Sequence, residues 1–75
     1  MILRFGNVIY DLKYAEKIAL STNLLLIKFA NGREEVIDLR EYNCRPEILI
    51  ELIFKNKNKP IGVSYPKLSE KEKNS

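Results

Sequence analysis

The clearest pattern of hydrophobic and polar positions is a pair of strand-like segments, residues 24–30 and 33–39, on either side of Asn31-Gly32. Asn-Gly tolerates the positive φ angles of a two-residue type I′ turn, which joins the strands of a β-hairpin. The pattern therefore predicts a hairpin over residues 24–39. In the register that this turn imposes, Lys28 lies opposite Glu35 as a charge-matched pair.

This hairpin is apolar on both faces of its predicted register. One face carries Leu24, Leu26, Ile37 and Leu39, and the other carries Leu25, Ile27, Phe29 and Val36. An antiparallel pair of strands that packs on a core with one face normally has a polar, solvent-exposed second face. We therefore expect a helix to cover one face, and the rest of a curled sheet or another copy of the chain to cover the other.

Shorter alternations predict further strands around this hairpin. Residues 2–5 and 8–11 flank Gly6-Asn7, which suits a type II′ turn with glycine first. Residues 14–20 fit either a strand or a helical turn, and a strand is favoured because Ile18 and Leu20 alternate with their neighbours. Residues 61–65 lie between two prolines and are typical of a short edge strand.

One amphipathic helix is predicted from Pro46 to about residue 56. Proline is favoured at the first helical position, and Glu47 suits the positive end of the helix dipole. The apolar positions cover about twice the usual stripe of roughly 100°; they are Ile48, Leu49, Ile50, Leu52, Ile53 and Phe54. The expected fold is α+β, a small antiparallel sheet of about four to five strands on one helix. Residues 1–66 form the domain, and the charged tail 67–75 is expected to be disordered.

Composition narrows the candidate chemistry. The chain has 75 residues, one cysteine and no histidine, so neither an intrachain disulfide nor histidine catalysis is available. Cys44 precedes the helix, where a thiolate is favoured, but no histidine base accompanies it. We predict no enzymatic activity and no catalytic, cofactor or metal site. The apolar runs are too short to span a bilayer and no signal peptide pattern is visible, so the expected location is the cytoplasm.

The positive charge is concentrated near the C-terminus. The net charge is +3, and counting side chains gives −1 for residues 1–54 and +4 for residues 55–75. Lysines beside an aromatic ring can hold a phosphate backbone and stack a base. The candidate nucleic-acid contacts are Lys55, Lys57, Lys59, Tyr65 and Lys67.

Two segments carry a resemblance to a known kind of domain. Residues 25–32 run Leu-Leu-Ile-Lys-Phe-Ala-Asn-Gly, and residues 36–39 run Val-Ile-Asp-Leu. This resembles short bacterial β-rich domains of unknown function in phage-associated or toxin–antitoxin-like gene pairs, where one strand ends in Phe-x-Asn/Asp-Gly and the next in Asp-Leu. The closing residues 62–66 look like the late strand of that pattern. The resemblance implies no catalytic residues.

The surplus of apolar surface favours a protein-interaction or regulatory module that associates with itself, most simply as a dimer. The candidate interface residues are Leu25, Ile27, Phe29, Val36, Ile50 and Phe54. Two alternatives stay open: a nucleic-acid-binding protein that uses residues 55–73, and a phage-encoded inhibitor of a host complex. Richness in lysine, asparagine and isoleucine indicates an AT-rich bacterial or phage genome.

Overall fold

A computed structural model describes residues 1–68. They form six strands in two three-stranded sheets, with one α-helix. The strands are β1 (Ile2–Phe5), β2 (Val8–Asp11), β3 (Ala15–Ser21), β4 (Leu24–Phe29), β5 (Glu34–Asp38) and β6 (Gly62–Tyr65), and the helix is α1 (Pro46–Asn56). The α+β class and the position of the helix are confirmed. The prediction of a single sheet of four to five strands is wrong.

The first sheet has the order β2-β1-β6. β1 and β2 form the predicted hairpin around Gly6, whose φ of +62° fits the first position of a type II′ turn. β6 is an edge strand, as expected, but it runs parallel to β1 and pairs Ile2 with Gly62. Parallel pairing requires a long connection, and the whole second sheet and α1 lie within it.

The second sheet is the meander β3-β4-β5, and its central loop differs from the prediction. The Phe29 amide donates to the Arg33 carbonyl at 2.8 Å, so the loop holds three residues, of which Gly32 has a φ of +92°. The extra loop residue places Lys28 opposite Glu34 rather than Glu35. Such a one-residue slip moves every side chain of one strand to the other face.

The corrected register separates a buried face from a half-exposed one. Leu25, Ile27 and Ile37 now share the inner face and are buried in the core. Leu26 and Val36 share the outer face, where Val36 is exposed. The outer face is therefore not covered by the rest of the chain's own sheet, and its covering by another copy stays a prediction.

Two short 3₁₀ turns, Leu12–Tyr14 and Leu39–Glu41, end the second strand of each hairpin in the same way. In both cases the strand ends at an aspartate whose side chain accepts the amide two residues later, and the leucine that follows the aspartate is buried. This internal likeness between residues 8–13 and 35–40 is a feature that the sequence analysis missed.

The core lies between the two sheets and under α1. Leu49 and Ile53 of the helix are buried. Ile48 and Phe54 remain exposed on either side of the polar strip of the helix, which consists of Glu47, Glu51 and Lys55. The tail predicted for residues 67–75 is only partly described. Lys67 forms a β-bridge with Tyr42, and the Leu68 amide donates to the backbone carbonyl of Glu41. The ordered chain therefore continues past residue 66. Residues 69–75 lie outside the described part.

Candidate protein-interaction groove

A groove of about 430 Å³ runs between the first hairpin and the tip of the second. One wall is formed by β2 and Tyr14. The other is formed by the β4–β5 tip, including Phe29, Arg33 and Glu35. Since residues 1–68 fold as two separate sheets, none of their strands neighbours the outer edge of β2. The groove therefore follows an open sheet edge.

The ladder between β1 and β2 shows which backbone groups point into this open edge. The pair Phe5–Val8 closes the two-residue turn, and the Leu12 amide donates to the Met1 carbonyl at 2.9 Å. Antiparallel ladders alternate, so Val8 and Tyr10 direct their backbone groups to β1. Ile9 and Asp11 direct theirs to the open edge, where the described residues offer them no backbone partner.

Three apolar side chains along this edge are exposed to solvent. The exposed fractions are 50% for Val8, 63% for Ile9 and 57% for Tyr14. Val8 and Ile9 leave opposite faces of the strand, so both faces of the open edge are apolar. An unpaired edge strand with exposed β-branched residues can form backbone hydrogen bonds with a strand of another chain.

Three charged side chains line the groove, and Asp11 is the one outside the ion pair formed by the other two. Arg33 Nη2 lies 2.8 Å from Glu35 Oε2, which pairs the two central charges. Burial raises the pKa of the Tyr10 hydroxyl above its usual value, and the Glu35 carboxylate adds to the shift. Tyr10 is therefore a neutral hydroxyl at physiological pH, able to donate and accept hydrogen bonds.

The six predicted interface residues do not form one surface. Leu25 and Ile27 are fully buried in the chain's own core, so they are not available to a partner. Phe29 lines the groove, Val36 lies on the opposite side of the second sheet, and Ile50 and Phe54 lie on the helix. The two-residue loop predicted at Asn31-Gly32 explains the error, because its register places Val36 on the same face as Leu25 and Ile27.

The groove residues absent from the predicted interface are Val8, Ile9 and Tyr14. The pattern predicts each of them as a strand residue, and one signal of an open edge is present in the sequence. Residues 8–10 hold no charge before Asp11. This segment therefore lacks the charged side chains that usually protect an edge strand.

The predicted nucleic-acid contacts are also separated by the fold. The Tyr65 ring stacks on Phe5 with centroids 5.2 Å apart, inside an aromatic cluster with Tyr10 and Tyr42, so it is not a free platform for a base. Lys67 bridges to Tyr42 at one end of β6. Lys55 approaches Glu51 at 4.0 Å on the helix.

Lys57 and Lys59 lie at the other end of β6, where Lys13 joins them along a cleft of about 580 Å³. The Met1 amino group, at the same cleft, donates to the Lys57 carbonyl at 2.9 Å. The fold thus brings Lys13 close to Lys57 and Lys59, from which it is distant in the sequence. Their grouping was not predictable, because it depends on the parallel pairing of β6 with β1.

The position of Cys44 before the helix predicts a favoured thiolate, and the structure contradicts this prediction. Burial raises the pKa of the Cys44 thiol to about 11, so the thiolate is scarce at neutral pH. Among residues 1–68 no cluster of three or more acidic or cysteine side chains is arranged to hold a metal ion. Within the same residues, α1 is too short to cross a membrane.

Comparison of the chain with protein-family models, curated proteins and solved structures finds no match. The resemblance to short β-rich bacterial domains therefore stays an expectation.

Proposed function

We propose that the chain is a small protein-interaction module that associates with itself through the β2 groove. The observation that carries this proposal is the open β2 edge, with Val8, Ile9 and Tyr14 exposed beside it. Clustered apolar side chains of this kind on a small domain are typical of an interface. A dimer would also supply stability that a chain of this size has difficulty obtaining from its own core.

A second copy is the occupant that fits the charges of the groove. Arg33 and Glu35 compensate each other, so the groove keeps only the single negative charge of Asp11 with which to select a charged partner. Its exposed side chains are apolar and match one another across a twofold axis. Association of this type is insensitive to salt.

The test is the solution mass by light scattering on a sizing column, at low and high salt. We expect a salt-independent dimer that Tyr14→Ser weakens. Ile48→Ser is the matched control, because Ile48 is similarly exposed, at 54% against 57% for Tyr14, but lies on the helix away from the groove. A monomer at every accessible concentration would refute the proposal.

Nucleic-acid binding is the second candidate, and the cleft shared by Lys13, Lys57 and Lys59 is the observation that favours it. A phosphate backbone held by these lysines would bind with an affinity that falls steeply as salt rises. Anisotropy of a labelled single-stranded oligonucleotide measures this directly. Lys57→Gln with Lys59→Gln should reduce both the affinity and the salt slope, whereas Lys17→Gln with Lys28→Gln, on the outer face of the second sheet, should change neither.

A further inference from the structure

The two sheets present four outer edges, of which three carry features that oppose the addition of another strand. β6 lies between Pro60 and Pro66, and proline cannot donate to a ladder. β3 has a β-bulge between Ala15 and Lys17, and bulges disturb an edge. β5 holds three carboxylates in five residues.

The carboxylates of β5 specifically oppose pairing with a second copy. An antiparallel twofold pairing centred on Val36 would place Glu34 opposite Asp38 of the other copy. Like charges directly opposite each other destabilise a sheet. This edge is therefore protected although Val36 itself is apolar and exposed.

β2 lacks these protections. It has no proline or bulge, and its one charged residue, Asp11, stands at its end. An antiparallel twofold pairing centred on Ile9 would place Ile9 opposite Ile9 and Val8 opposite Tyr10, all within β2. Both are favourable cross-strand pairs: aliphatic with aliphatic, and β-branched with aromatic.

From this difference between the edges we infer that two copies join by antiparallel pairing of β2 with β2, centred on Ile9. The outward backbone groups of Ile9 in each copy then form the two central hydrogen bonds, and the first sheets merge into one six-stranded sheet. This inference rests on the proposed self-association and adds how the two copies are joined: through backbone hydrogen bonds as well as side chains. The short length of β2 limits the pairing to a few hydrogen bonds.

The decisive variant removes one backbone donor at the centre of this pairing. Ile9→Pro deletes an amide that points away from β1, so the β1–β2 ladder keeps its hydrogen bonds. Val36→Pro is the matched control, since Val36 also directs its amide outward from an edge strand and is 61% exposed, against 63% for Ile9. We expect Ile9→Pro to raise the dimer dissociation constant roughly tenfold or more, and Val36→Pro to leave it unchanged.

A crosslinking measurement does not depend on how well a proline variant folds. In an antiparallel hydrogen-bonded pair the Cα atoms are about 5.5 Å apart, so two cysteines at this position lie within reach of a short bifunctional thiol reagent. Ile9→Cys in a Cys44→Ser background should therefore be crosslinked into a dimer by a bis-maleimide, and Val36→Cys in the same background should not.

The outcomes separate the two proposals. A wild-type monomer refutes the self-association and the strand pairing together. A wild-type dimer that folded Ile9→Pro leaves intact, or that Ile9→Cys fails to crosslink, overturns the strand pairing alone. A weakened Ile9→Pro dimer, an intact Val36→Pro dimer and selective crosslinking at Ile9 support both.

Discussion

The loop between β4 and β5 allows a direct test of the register on which the inner face of the second sheet depends. Gly32 has a φ of +92°, in the left-handed region, and a Cβ added there meets nothing within 4 Å. A side chain at this position therefore costs backbone conformational energy without a steric clash. That cost is about 1–2 kcal/mol for an L-residue.

The neighbouring Asn31 distinguishes a three-residue loop from the two-residue loop that Asn-Gly also permits. In a two-residue type I′ turn both central residues need a positive φ. In the structure only Gly32 has one, and Asn31 instead accepts the Arg33 amide through its side-chain oxygen at 3.0 Å. Serine retains a weaker version of this hydrogen bond, so Asn31→Ser should cost only about 0.5 kcal/mol.

Urea unfolding of Gly32→Ala and Asn31→Ser, followed by circular dichroism at one fixed protein concentration, measures both changes. We expect Gly32→Ala to lower the free energy of unfolding by about 1–2 kcal/mol and Tm by roughly 4–16 °C. Gly62→Ala is the control, because Gly62 has no positive φ and its nearest added contact is an ordinary 3.8 Å. Equal losses in Gly32→Ala and Asn31→Ser would refute the three-residue loop and the register that follows from it.

Three further predictions concern strain, packing and ionisation. Thr22 has a φ of +55°, which a β-branched residue rarely adopts, so Thr22→Gly should raise the free energy of unfolding by about 1 kcal/mol, whereas Ser64→Gly in β6 should lower it. Leu49→Ala should cost about 2–5 kcal/mol by opening a cavity, while Phe54→Ser, at a side chain that is 85% exposed, should cost less than about 0.5 kcal/mol in the same unfolding assay. Burial raises the pKa of the Cys44 thiol in the folded state to about 11, above its ordinary value of 9.0, so the folded state holds this proton more tightly and its contribution to stability should be lost as pH rises from 9 to 11. Cys44→Ala should flatten that part of the pH profile, and a profile unchanged by the substitution would contradict the burial of the thiol.

The elements that could be predicted from the sequence are those that depend on neighbouring residues. Gly6-Asn7 defines the first hairpin, and Pro46 defines the start of the helix. The edge position of β6 was predictable from the prolines on either side. In each case the deciding residue lies within or next to the element that it specifies.

What could not be predicted depends on contacts between distant residues. The pairing of Ile2 with Gly62 divides the strands into two sheets, and no local pattern encodes it. It also brings Lys13 to Lys57 and Lys59. The stacking of Tyr65 on Phe5 follows from the same pairing, which is why a ring expected at a binding surface belongs to the core.

The register error shows how one loop residue propagates to the proposed site. Asn31-Gly32 fits the whole of a two-residue loop or the last two positions of a three-residue loop, and burial decides between them. With three residues, Ile37 joins Leu25 in the core and Val36 turns outward. The apolar surface expected on the second hairpin is then largely internal, and β2 keeps an exposed apolar edge. The carboxylates of β5 and the bulge of β3 protect two other edges of this small fold, whereas β2 has neither feature, and the proposed pairing of β2 with β2 would account for that difference.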